Sequence, residues 1–113
     1  MTKKLKWTKG IEMGVEITKN GNMSSVSIDG EMTVCSAARI KKEIFEDVVW
    51  DKAVSFDLSG VSEMDTAGFQ LLMLAKKEAA LKNCIFSVKA HSMATSAVIE
   101  LFNMKEHLEA GPR

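Results

Sequence analysis

The stretch Phe56–Leu74, FDLSGVSEMDTAGFQLLML, decides the fold. Its opening residues continue an alternation that starts at Ala53: Val54, Phe56 and Leu58 are apolar, Ser55 and Asp57 polar. A period of two marks a half-buried strand. A short Ser/Gly loop follows, and then a helix from about Thr66 to Leu81. At about 100° per residue, Gly68, Leu71, Leu72, Ala75 and Ala79 share one side and form the core-facing stripe. Phe69, Gln70, Met73 and Lys77 fall on the side of Thr66 instead. Either a neighbouring helix or loop covers Phe69 and Met73, or a partner protein does.

Working outward, Met13, Val15 and Ile17 alternate with Gly14, Glu16 and Thr18, a strand. Asn20-Gly21-Asn22 is a turn signal, because asparagine and glycine tolerate positive φ. Val26 and Ile28 mark a second strand, ended by Gly30, and the two form an antiparallel hairpin. Ser36 is placed to cap a helix reaching Val49, with Ala37, Ile40, Ile44 and Val48 on its apolar face. Downstream come a strand at Cys84–Val88, a helix over Ser92–Phe102 and a helical turn at Met104–Leu108. Strand–helix–strand units imply parallel pairing. The expected fold is therefore α/β, a small mixed four-stranded sheet with helices packed on it. Residues 1–10 are expected to be a flexible N-terminal segment, and 11–110 a single domain.

Bulk properties exclude several classes. The chain has 113 residues, 46% apolar and 27% charged, the balance of a globular domain. Fifteen basic residues match fifteen acidic ones. Nucleic-acid binding needs a concentrated positive field, so none is expected. The one basic cluster, Lys3, Lys4, Lys6 and Lys9, has the pattern of a solvated tail. The apolar runs are too short to span a bilayer, so direct membrane insertion is not expected. No export signal precedes the two cysteines, Cys35 and Cys84, which fits reduced, buried thiols in a cytoplasmic protein.

Enzyme chemistry finds little support. There is no Gly-x-Gly-x-x-Gly, no Walker loop and no metal-ligand spacing, so neither cofactor nor metal is expected. His91 and His107 are too far apart for a helical metal motif. Glu63 and Asp65 are two residues apart, an acid–base pair only if their pKa values are driven apart. The simpler reading leaves Glu63 in solvent and gives Asp65 a turn and a helix start. Asp65 and Thr66 are both capping types, and a cap alone accounts for either. A hydroxyl at a helix start is also a well-placed switch. A phosphate there meets free backbone N–H groups and the positive end of the helix dipole. It would bring a charge of roughly −1.5 to −2 to the surface carrying Phe69 and Met73.

Asp57-Leu58-Ser59-Gly60-Val61, followed after four residues by Thr66-Ala67-Gly68 and Leu71-Leu72, resembles the STAS family, which includes anti-sigma factor antagonists. Element order and length match from about Val15 to Leu108, and Gly30-Glu31-Met32-Thr33 fits the turn into the first helix. The resemblance implies a non-catalytic regulatory domain. Its partner would be an anti-sigma factor that is also a serine/threonine kinase and phosphorylates Thr66. Partner binding would then fall to Thr33, Ser36, Asp65, Thr66, Ala67, Gly68, Phe69, Gln70 and Met73, in a monomer or weak homodimer. Two positions depart from the phosphorylated pattern: Ala67 replaces a second hydroxyl, and Thr33 stands where an aspartate is common. Asp65-Thr66-Ala67-Gly68 is also similar to STAS subunits that bind the ATPase of a phospholipid-transport ABC complex. STAS proteins of chemotaxis and sensory clusters look similar too.

Overall fold

In a computed structural model, described over residues 14–101, the alternating segments become strands and the 3.6-periodic ones helices. In chain order they are β1 (Gly14–Asn20), β2 (Met23–Met32), α1 (Ala37–Asp47), β3 (Ala53–Met64), α2 (Thr66–Leu81), β4 (Ile85–Ala90) and α3 (Met93–Leu101). The expected flexible segment 1–10, the end of the third helix at Phe102 and the turn at Met104–Leu108 lie outside the described residues.

The sheet runs β1-β2-β3-β4. β1 and β2 form the expected antiparallel hairpin, turned at Gly21 (φ 65°). β2–β3 and β3–β4 pair in parallel. One sheet face carries Val15, Ile17, Val26, Ile28, Val54, Phe56, Leu58, Phe86 and Val88, all buried. Ile40 and Ile44 of α1 and Leu71, Leu72, Ala75 and Ala79 of α2 join them in one core. The other face is polar, and its hydroxyls line up across the strands through the pairs Thr18↔Ser25, Ser25↔Ser55 and Ser55↔Ser87. A sheet with one packed face and one polar face gives this alternation. β4 stops pairing at Ala90, opposite Asp57, and α3 then packs against β3 and α2.

Three expectations need correction. First, β3 does not end at a Ser/Gly loop but continues to Met64. Its pairing with β2 carries two irregularities, and at each β3 spends one more residue than β2. Such bulges break the period of two. Burial then recurs every third residue, at Leu58, Val61 and Met64, and no longer looks like a strand. Second, Gly30 does not end β2. With φ of 98°, a conformation glycine tolerates best, it carries the strand through the second irregularity to Met32. Third, only Cys84 is buried. Cys35 lies in the loop between β2 and α1 and is exposed.

Candidate functional site

Met32 and Met64 are register partners at the ends of two parallel strands, so the loops that follow begin side by side. In open α/β sheets, the carboxyl ends of the strands are where sites form. The first loop is a tight turn. The N–H groups of Ser36 and Ala37 donate to the Thr33 carbonyl at 3.0 and 2.8 Å. Ser36 occupies the N-cap position, as expected, but its hydroxyl does not cap the helix. It donates back to the Glu31 carbonyl (2.8 Å) and accepts from the Thr33 N–H (3.0 Å).

The second loop is a single residue, Asp65, and it is the true cap. Its Oδ1 accepts from Ala67 N–H (2.9 Å) and Gly68 N–H (3.3 Å), the helix-start donors that need a partner. Its Oδ2 accepts from Val34 N–H of the neighbouring loop (3.0 Å). The Asp65 N–H donates to the Met32 carbonyl (3.3 Å). These bonds, led by the one from Val34, hold the Asp65 carboxyl below its ordinary pKa against a smaller opposing effect of burial. The carboxylate is thus committed to three backbone N–H groups, and Glu63 is an exposed residue of β3 beside Glu31.

Gly68 fixes how close α2 comes. A Cβ at this position would run into the carbonyl oxygen of Met32. The first turn of α2 therefore rests directly on the end of β2, an approach that only glycine permits.

Thr66 is the first residue of α2 and is exposed. Among the described residues no hydrogen bond holds its hydroxyl, so Asp65 and not Thr66 does the capping. Gln70 is exposed one turn further along, and Met73 is half-buried against the core. Phe69 is 8% exposed and belongs to the core, so of the two alternatives left by the helical spacing, the protein itself covers this ring. Thr33, Ser36 and Gly68 are buried as well, and Ala67 partly so; these residues support the surface from beneath. The sequence reading passed over Val34. It is 74% exposed, and Asp65 holds its loop beside the start of α2. Its only sequence signal is an apolar residue outside any periodic run, among Thr33, Cys35 and Ser36.

Comparison with known proteins follows this geometry closely. Residues 15–109 match the family model described as Mlab, STAS domain. A crystal structure of an anti-sigma factor antagonist from Mycobacterium paratuberculosis is similar over 86% of this chain and 83% of its own, with a TM-score of 0.75 and 22% identity. The anti-sigma factor antagonist SpoIIAA in its unphosphorylated form is similar over 84% and 85%, with a TM-score of 0.64 and 15% identity. At these identities the two likenesses bear on the fold. A comparison with curated proteins finds no match.

Proposed function

We propose, from the premise that the chain belongs to the STAS domain family, that it is a non-catalytic docking domain switched at Thr66. One observation carries the reading: Thr66 stands exposed at the helix start with its hydroxyl unused, while Asp65 alone satisfies the cap. A residue spared from structural duty in this position is available for modification. The partner is an anti-sigma factor with serine/threonine kinase activity, which binds the unmodified form and is released when Thr66 is phosphorylated. The new phosphate adds negative charge beside the Asp65 carboxylate and Gln70, within the surface the partner must cover. That the two similar folds include anti-sigma factor antagonists agrees with this choice.

A second reading is favoured by the family description itself and by Ala67, which removes a second acceptor hydroxyl. Here the same face binds the ATPase of a phospholipid-transport ABC complex, and Thr66 is a constant contact. Incubation of the protein with host lysate and ATP, followed by mass spectrometry of the helix-start peptide, separates the two. Phosphate on Thr66 supports the switch. Persistently unmodified Thr66 together with a stoichiometric ABC ATPase supports the constitutive subunit. Thr66→Glu is expected to weaken the partner complex and leave the circular dichroism spectrum unchanged; an unaltered complex would remove Thr66 from the interface.

A further inference from the structure

We infer that Asp65 is a positioning residue that locks the Val34 loop beside Thr66, so that an exposed valine and an exposed threonine from different loops form one docking surface. This rests on the reading of the Thr66 face as the docking face, and it adds Val34 to that face.

Capping does not by itself require what Asp65 provides. A single acceptor oxygen suffices at an N-cap, and serine or asparagine serves as well as aspartate. Oδ1 already meets that need by accepting from Ala67 and Gly68. The second oxygen reaches 31 positions back along the chain to the Val34 N–H. Thr33–Ser36 is a four-residue turn closed by Ser36 N–H on the Thr33 carbonyl, which places Val34 at its second position. Inside the turn, Cys35 N–H donates to Thr33 Oγ1 (3.3 Å). From outside, Asp65 Oδ2 is the acceptor that fixes the tip. Ordering an exposed apolar tip costs chain entropy and returns no burial in the free protein. It has a use if a partner buries the valine, because binding then meets a surface already in place. An apolar residue beside a hydroxyl suits a partner protein with a small apolar contact next to a polar one.

The substitution Asp65→Asn separates the two roles. The amide oxygen can still cap α2, but its NH2 group would meet the Val34 N–H donor to donor. In the free protein, the Val34 amide is expected to exchange with solvent roughly tenfold faster, the factor that a hydrogen bond to a charged acceptor represents. The backbone order parameters of Val34 and Cys35 should fall, while Ala67 and Gly68 exchange as before. Val34→Pro supplies the second variant. Proline suits the second position of such a turn and removes the donor, so adding Asp65→Asn to it should leave the Cys35 amide unmoved. Unchanged Val34 exchange and order in Asp65→Asn would make Asp65 a cap and nothing more. Equal acceleration at Ala67 and Gly68 would mean a loosened helix start, which also overturns the inference, as would a Cys35 response in the proline background. These readouts need no partner, so their failure is distinct from failure of the docking reading, which Thr66→Glu tests.

Discussion

Replacing Gly68 with alanine pits two known effects against each other, and the structure decides which wins. By helix propensity alone the substitution should stabilise α2 by about 1 kcal/mol, because glycine is the poorer helix former. The position is not open, however. The new methyl group would lie against the Met32 carbonyl carbon and Cβ and collide with the carbonyl oxygen itself. That oxygen is backbone, fixed by the parallel pairing of Met32 with Met64, so it cannot swing aside as a side-chain tip would. The start of α2 must move off the end of β2 instead. Overpacking a well-filled site costs roughly 1–3 kcal/mol. The displacement also pulls on Asp65, which donates to the same carbonyl and holds Val34. The net expectation is a loss of about 2 kcal/mol after the propensity gain is subtracted. In urea this lowers the unfolding midpoint by roughly 1 M at an unchanged slope. In a thermal scan it lowers the midpoint by about 8 °C. Ala80→Gly, at an exposed position of the same helix, measures the propensity effect by itself. A Gly68→Ala protein as stable as the native chain, or more so, would refute the close approach of α2 to β2.

Acid should expose the role of the Asp65 carboxylate. Its pKa is lowered on folding, so its contribution is complete above the unfolded value of about 3.9 and is lost as pH falls through the folded one. The stability difference between the native chain and Asp65→Asn should hold constant above about pH 5 and close below that value; Asp57, lowered mainly by its Ser59 hydroxyl bond, is common to both proteins and cancels. A difference that persists unchanged to pH 2 would show that charge on Asp65 is irrelevant. Thiol titration should find one fast cysteine in the native protein, Cys35, and a second only in denaturant, because Cys84 is buried and its thiol pKa is raised by that burial. Two fast thiols would contradict the packing around the start of β4. Phe69→Ala should cost about 3–5 kcal/mol, the penalty of a buried ring; an unfolding midpoint within error of the native chain would return Phe69 to the surface.

The parts of this fold that the sequence discloses are those with an unbroken period. Thr66–Leu81 carries an intact 3.6-residue pattern, and both ends of α2 fall where the spacing puts them. The second half of β3 is different. Its two bulges convert a period of two into a period of three, and Ser59-Gly60 then imitates a turn although both residues lie in the strand. Only the partner strand reveals the pairing, because irregular register belongs to two chains of residues at once. Phe69 shows the same dependence in the other direction. Helical spacing turns it away from the stripe of Leu71, Leu72, Ala75 and Ala79, yet it is buried with them, because the packing around the start of α2 closes over a wider arc than one stripe.

The site divides along the same line. Asp65 and Thr66 are identifiable from their own chemistry, as capping types at the first turn of a helix. Which of them caps is set by a partner 31 residues away, since the Val34 N–H on Oδ2 orients the carboxylate that takes the cap and leaves Thr66 its hydroxyl. The exposure of Thr66 is therefore a property of two loops, made adjacent by the pairing of Met32 with Met64 and closed up by Gly68. A modification at Thr66 enters a surface whose other half, Val34, is held by the residue next to it, so the electrostatics of the helix start and the placement of the valine loop act through one carboxylate.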